Sequence, residues 1–107
     1  MSKASIIPDQ LALVLTAEWY NKIEAGKKKE EYRTFNMFWA KRLCKMKGDD
    51  IIDVKTFKTV KFSYGYGQRH MIFECKGIFI DTFEKVVPAE CVKGETYFTI
   101  ELGERIK

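Results

Sequence analysis

Residues 11–26 read LALVLTAEWYNKIEAG. The first five letters are a continuous apolar run of strand length, and Thr16 then offers a hydroxyl that can cap a helix. Trp19 and Ile23 stand at i and i+4, which places them on one face of that helix. Gly26 stands where a residue in the left-handed conformation commonly ends a helix. The segment therefore predicts a strand followed by a short helix that stops at Gly26.

The following segment predicts a second strand and a second helix. Residues 30–33 can form the strand, and Asn36 can cap the helix. This helix is amphipathic, with one side formed by Trp39, Leu43 and Met46, and a Gly-Asp-Asp sequence then breaks it. The remainder is rich in Val, Ile, Phe and Thr, which predicts β-structure over residues 51–62, 70–82 and 97–102.

These elements favour the α+β class: a small mixed sheet closed or half closed into a barrel, flanked by two short helices near the N-terminus. A length of 107 residues, of which 46% are hydrophobic and 32% charged, predicts one globular domain over residues 1–107. A Gly-Tyr-Gly turn at residues 65–67 joins two of the strands. We expect the core to contain six phenylalanines, Phe57, Phe62, Phe73, Phe79, Phe83 and Phe98.

The sequence shows no signal for export or membrane insertion. No run approaches the roughly 18 apolar residues of a membrane span, so we expect a cytoplasmic protein without a membrane partner. Three cysteines, Cys44, Cys75 and Cys91, are odd in number and widely spaced, which predicts reduced and mostly structural thiols. His70 is the single histidine, which excludes a multi-histidine metal site, and we expect neither a metal nor another cofactor.

Positive charge is concentrated in one part of the chain. Residues 21–47 contain nine lysines and arginines against three glutamates, a local charge of +6, whereas the whole chain carries +4. The rest of the chain is therefore slightly acidic. A basic segment on such a body is typical of a face that binds phosphates, because attraction to a polyanion depends on local charge. A solvated helix surface is the alternative interpretation.

The most unusual cluster of residues is the octapeptide 26–33, which has the form G-x-K-x-x-E-x-R. Lys28 supplies a mobile ammonium for a phosphate or carbonyl oxygen, and Arg33 supplies a planar fork for phosphate or carboxylate. Glu31 and Arg33 share a face if they lie on a strand, and Lys28 can join them only from a loop. The three side chains would then converge. A surface ion pair between Glu31 and Arg33 is the alternative.

This octapeptide, directly after a strand and a helix, resembles the signature of the ASCH domain, a family of PUA-like β-barrels. The second half of the chain is similar to a small bacterial and phage-type branch of that family at residues 64–67, 74–78 and 97–103. The resemblance covers the chain from about Leu11 onward. It implies a PUA-like barrel and a cleft, between the barrel and the N-terminal helices, that takes an RNA-related or nucleotide-related ligand.

The leading hypothesis is a module that binds nucleic acid, with RNA as the expected ligand, or a nucleotide or modified nucleoside. Lysines collect phosphates, Glu31 accepts from the exocyclic amine of a base, and Tyr32 or Tyr64 stacks on that base. Lys28 and Arg33 fix backbone or carbonyl oxygens. The predicted ligand-binding residues are Gly26, Lys28, Glu31, Tyr32, Arg33, Tyr64 and Arg69.

Two other functions compete with RNA binding. Some proteins of the resembled family hydrolyse the acyl amide of an acetylated cytidine. Here Lys28 and Glu31 would be the catalytic residues, although Glu31 stands where those proteins have a threonine, and residues 82–94 are too short for their later helix. Glu84 or Glu90 could substitute for the glutamate of that helix, and hydrolysis of RNA is a further variant. An adaptor that binds another protein through exposed aromatics such as Trp39 is the third hypothesis.

Overall fold

The computed structural model describes residues 9–107 and belongs to the α+β class, as expected. Helices α1 and α2 and seven strands make up this part of the chain. Their order is β1 (Gln10–Leu15), α1 (Ala17–Glu24), β2 (Glu30–Thr34), α2 (Met37–Leu43), β3 (Cys44–Lys47), β4 (Asp50–Val54), β5 (Thr59–Tyr64), β6 (His70–Thr82) and β7 (Thr96–Arg105). No helix in this part is long and apolar enough to cross a membrane.

The chain folds as two compact units, each built from separate stretches of sequence. Of the described residues, the first unit contains 9–29 together with Phe57–Lys76 and Leu102–Lys107. The second unit contains Glu30–Thr56 and Gly77–Glu101. Strands β6 and β7 therefore contribute one part to each unit. A single domain over residues 1–107 stays a prediction, as do the closure of the sheet into a barrel and the PUA-like assignment.

The first unit contains a mixed sheet in the order β1-β5-β6-β7. Strand β1 runs parallel to β5, and β5 runs antiparallel to β6. Leu11, Leu13 and Leu15 are buried and the two residues between them are exposed, so the apolar run buries one face, as the two-residue period of a strand requires. Phe62 of β5 is fully buried and stands opposite Leu13 on β1 and Met71 on β6.

Helix α1 ends as the sequence predicts. Gly26 has a φ of 77°, and its N–H donates to the Ile23 carbonyl, while the N–H of Lys27 donates to the Lys22 carbonyl. This pair of hydrogen bonds is the Schellman arrangement, which a glycine accommodates without a Cβ penalty. The predicted hydroxyl cap is wrong, because Thr16 occupies the N-cap position with an extended backbone but its side chain makes no capping hydrogen bond.

The second unit contains β2 at one end of the order β6-β7-β2, and a separate hairpin of β3 and β4. Asn36 caps α2 as predicted, since its Oδ1 accepts from the Trp39 N–H at 3.0 Å. The predicted length of this helix is wrong, because it ends at Leu43 and Met46 lies on β3. Pairing with β4, across a turn in which Gly48 has a φ of 61°, keeps these residues extended.

The predicted phenylalanine core is confirmed only in part. Phe62 and Phe98 are fully buried, whereas the other members of that set apart from Phe79 are half-buried. Phe79 is 48% exposed, which contradicts the prediction. The reason is strand alternation: Ile78 is buried, so the next side chain along β6 points to the opposite face of the sheet.

Cys44 is expected to be the slowest of the three cysteines to react with iodoacetamide, by at least about tenfold in the folded protein. Its side chain is buried, and burial raises the pKa of its thiol, with Asp53 adding to the rise and Lys55 opposing it. All three cysteines are reduced thiols, and the other two are half-buried. Peptide mapping by mass spectrometry after timed labelling measures the three rates.

Labelling in denaturant is the control, because the rates should then become similar. Native labelling of Cys44 as fast as that of Cys75 would show that the α2–β3 junction opens readily.

Candidate functional site

The seven predicted ligand-binding residues fall in both units. Gly26, Lys28, Tyr64 and Arg69 belong to the first unit. The second unit holds the others, Glu31, Tyr32 and Arg33. Residues 27–29 form a loop, as the hypothesis of a convergent site requires, and convergence itself stays a prediction. The two groups of residues have different surroundings.

A cavity of about 420 Å³ lies in the first unit and includes two of the predicted residues, Gly26 and Lys28, in its wall. This volume is in the range of small-ligand sites. Four cationic and two carboxylate side chains line the cavity, which gives its wall an excess of positive charge. These charged residues are Lys28, Lys29, Lys76 and Arg105, together with Glu74 and Glu104.

Strands β6 and β7 shape the wall of this cavity. A Cβ at Gly103 would come within 2.9 Å of Glu74 Oε1 and 3.0 Å of Glu74 Cβ, so a larger residue would displace the Glu74 side chain. Glu74 Oε1 also accepts from the Glu104 N–H at 3.0 Å. On the other side, the Lys29 carbonyl accepts from the Leu102 N–H at 3.0 Å, which ties the predicted loop to β7. The cavity therefore has hydrogen-bonded walls.

Lys28 is positioned by an aromatic ring. Its Nζ lies 5.4 Å from the centroid of the Trp19 ring, and Nζ of Lys22 lies 4.7 Å from the same centroid. Both amines are within the distance at which a ring quadrupole attracts a cation. Helix α1 therefore keeps the Lys28 ammonium near one side of the cavity, since Trp19 is on that helix.

Arg69 has aromatic and acidic partners within the first unit. Its guanidinium lies 5.1 Å from the Tyr20 ring centroid and 5.0 Å from that of Tyr64, and the two rings meet edge to face at 5.2 Å. Arg69 Nη2 also donates to Glu24 Oε1 at 2.7 Å. These contacts hold Arg69 and Tyr64 together and give both a packing role, while their part in ligand binding stays a prediction. Tyr66, in the following turn, is 97% exposed.

In the second unit Glu31 and Arg33 form an ion pair on β2, as their spacing predicts. Arg33 Nη1 donates to Glu31 Oε2 at 2.5 Å and to the Tyr32 carbonyl at 2.8 Å. Glu31 is only 4% exposed and Arg33 is half-buried, so this is a buried pair and not the surface pair of the alternative interpretation. The guanidinium of Arg33 also lies 5.2 Å from the Trp39 ring centroid.

Tyr32 is a hydrogen-bond donor within the second unit. Its hydroxyl donates to Glu30 Oε1 at 2.8 Å, and its ring meets Phe83 edge to face at 5.8 Å. Burial raises the pKa of the Tyr32 phenol well above its usual range, and the Glu30 carboxylate, with Glu90 and Cys91, raises it further. The phenol therefore stays protonated at neutral pH.

Sequence reasoning missed the part of the cavity that comes from β6 and β7. In the sequence, Glu74, Lys76 and Gly103 are only points of family resemblance, and Arg105 has no assigned role. The signal that could indicate these residues is the presence of two long strands, because residues of β6 and β7 become neighbours once the strands pair in the sheet. Within residues 9–107, no group of three or more His, Cys, Asp or Glu could hold a metal ion.

Comparison with known proteins finds no relative. No family model matches the chain, and no curated protein or solved structure is significantly similar to it. The resemblance to the ASCH family therefore stays a prediction that rests on the quoted motifs.

Proposed function

We propose that the chain binds single-stranded RNA, and that the cavity of the first unit takes phosphate groups of the RNA backbone. The observation that carries the proposal is the charge of the cavity wall, where four cations outnumber two carboxylates. A local excess of positive charge attracts a polyanion and releases its counterions. The motif resemblance to an RNA-related family favours RNA as the polyanion.

Three of the four cationic side chains have separate parts in this proposal. Lys28, held beside Trp19, presents an ammonium to a phosphate oxygen. Arg105 Nε donates to the Lys107 carbonyl at 3.0 Å and its Nη1 lies 3.8 Å from Glu24 Oε2, so the guanidinium is fixed at the wall and its remaining N–H groups suit a phosphate oxygen. Lys76 adds a further charge on β6. Glu74 Oε1 accepts a hydrogen bond from the Glu104 N–H, so a backbone donor compensates part of its negative charge. The cavity therefore favours an anion.

Stacking of a base on an aromatic ring would complete the site. Tyr66 is 97% exposed in the turn between β5 and β6, where a ring is open to a base from solvent. Tyr64 is half-buried and the Arg69 guanidinium lies against its ring, so less of the Tyr64 ring is open to a base. The leading sequence hypothesis gives Glu31 a hydrogen bond to a base. The phosphate contacts proposed here do not depend on Glu31.

Lys28→Ala is expected to weaken RNA binding about five- to tenfold and to reduce the salt dependence of log K by about 0.7, the value for one lost phosphate contact on a single strand. Fluorescence anisotropy with a mixed-sequence RNA of about twelve nucleotides, titrated at several salt concentrations, measures both quantities.

Lys58→Ala is the matched control, because Lys58 is an exposed lysine of the same unit that does not line the cavity. The proposal fails if wild-type protein does not bind RNA at low salt. It also fails if Lys28→Ala and Lys58→Ala change the affinity and the salt dependence equally.

Hydrolysis of a modified nucleoside is the alternative function, and one observation favours it. Lys28 and Glu74 line the same cavity, so an amine and a carboxylate are available there for general acid and base chemistry. Incubation with an acetylated cytidine, followed by mass spectrometry, separates the two functions. Loss of the acetyl group would support a hydrolase, whereas a module that only binds leaves the nucleoside intact.

A further inference from the structure

Helix α2 carries an exposed aromatic side chain between cations. Phe38 is 61% exposed, although a phenyl ring gains free energy from burial. Lys41 and Arg42 follow it at i+3 and i+4, so all three side chains share one face of the helix. Both cations are exposed. This face, which we call the Phe38 face, shares no residue with the wall of the cavity, and α2 belongs to the second unit.

The Phe38 face has a defined geometry. The Phe38 ring meets Trp39 edge to face, with centroids 5.1 Å apart and an interplanar angle of 89°. The guanidinium of Arg42 lies 5.8 Å from the Phe38 centroid and 5.0 Å from the Trp39 centroid. Arg33 contacts the same indole at 5.2 Å. Trp39 therefore orients both Phe38 and Arg42.

The charge of the surrounding segment is one-sided. From Met37 to Lys47 the sequence contains four basic residues and no acidic residue. The aspartates of the following hairpin strand stand opposite two of these lysines, with Asp50 paired to Lys47 and Asp53 to Lys45. Lys41 and Arg42 lie on the helix, outside that hairpin. The charge beside the Phe38 ring is therefore positive.

An exposed aromatic ring beside two cations favours one kind of binding partner. A base can stack on the exposed phenyl ring, and the phosphates on either side of that base can meet the ammonium and guanidinium groups. An apolar protein surface would cover the ring but would also bury the two cations, which is costly without acidic partners. Charge complementarity therefore favours a single-stranded nucleic acid over an apolar protein partner.

We propose that the Phe38 face is a second contact for single-stranded RNA, with a base stacked on Phe38 and neighbouring phosphates bound by Lys41 and Arg42. The proposal rests on the proposed function for the nature of the ligand. It assigns a separate surface and a different interaction, since the cavity binds through charge and the Phe38 ring binds through stacking.

Phe38→Ala is expected to weaken binding of the twelve-nucleotide RNA about tenfold, the effect of one lost stacking contact, and to leave the salt dependence unchanged. Phe38→Tyr should restore the affinity because it keeps an aromatic face. Arg42→Ala should instead reduce the salt dependence by about 0.7. Met37→Ala is the control, since Met37 is an exposed apolar residue of the same helix without a ring.

The two tryptophans of the chain report on the two surfaces separately. In a Trp19→Phe protein the emission comes from Trp39, which touches Phe38, and RNA should change it. In a Trp39→Phe protein the emission comes from Trp19, which is near Lys28 of the cavity. Combining Trp19→Phe with Phe38→Ala should remove most of the RNA-dependent change in Trp39 emission.

The outcomes distinguish this inference from the proposed function. If Lys28→Ala weakens RNA binding while Phe38→Ala behaves like Met37→Ala, the Phe38 face is not a binding surface and the cavity still is. If Phe38→Ala weakens binding and Lys28→Ala does not, the Phe38 face stands and the cavity proposal fails. Absence of RNA binding by the wild-type protein overturns both, and the Phe38 face is then not an RNA surface.

Discussion

Phe62→Ala is expected to lower the free energy of unfolding by about 3–5 kcal/mol, the cost of removing a large side chain from a packed core. Phe62 is fully buried in the middle of the first unit. It stands opposite Leu13 on β1 and Met71 on β6, and its ring meets Phe73 at a centroid distance of 6.1 Å. Removal of the ring leaves a cavity between three strands. Urea denaturation followed by circular dichroism measures the change.

Tyr66→Ala is the control for this substitution because it also deletes an aromatic ring, but from a side chain that is 97% exposed. Its unfolding free energy should stay within about 0.5 kcal/mol of wild type. If Phe62→Ala is too unstable to purify, Phe62→Leu should fold and show a smaller loss. Equal stability of Phe62→Ala and Tyr66→Ala would contradict the packing of β1 and β6 on β5.

Glu31→Leu is expected to lower the free energy of unfolding by about 3 kcal/mol, because it leaves the half-buried Arg33 guanidinium without the carboxylate that accepts from it. The pair is well shielded, since Glu31 is buried and Arg33 is half-buried. Glu18→Ala removes an acidic partner from an exposed pair with Lys22 and should change stability by less than about 0.5 kcal/mol. Urea denaturation compares the two variants.

A double variant separates the structural role of Glu31 from a ligand-binding role. Glu31→Leu combined with Arg33→Met removes both charges and should recover most of the lost stability, as it does in other buried pairs. We expect this double variant to keep the phosphate contacts of the cavity, and hence its salt-dependent RNA affinity. Loss of RNA binding in a Glu31→Leu protein that is still folded under the assay conditions would instead assign the carboxylate to the ligand, as the leading sequence hypothesis has it.

Much of the fold could be predicted because the signals are local. The apolar run of β1, the left-handed Gly26 and the cap at Asn36 each act within a few residues of the element that they define. The sequence predicts Met46 on helix α2, whereas it lies on β3. Its spacing from Leu43 fits a helix, but its spacing from Cys44 also fits a strand. Pairing with β4 decides between the two, and that pairing is not a local signal.

The residues of the candidate site also divide into those that local spacing predicts and those that only strand pairing brings together. Lys28 follows directly from the motif, and the ion pair of Glu31 with Arg33 follows from their spacing on a strand. Lys76 and Arg105 join the cavity only because β6 and β7 are hydrogen-bonded neighbours, and the sequence contains no short-range sign of that. Exposure of Phe38 follows from its position with Lys41 and Arg42 on the polar side of α2, away from the apolar side that faces a core.

The discontinuity of both units bears on when the protein folds during its synthesis. Strand β1 leaves the ribosome before its parallel partner β5, which lies 49 residues later at the Gln10–Thr59 contact. The first unit also needs Leu102–Lys107, and the second needs residues up to Glu101. Neither unit is therefore complete before β7 has been translated. Until β5 has been synthesised, the apolar face of β1 stays exposed in the nascent chain. Chaperones would have to shield this face from aggregation.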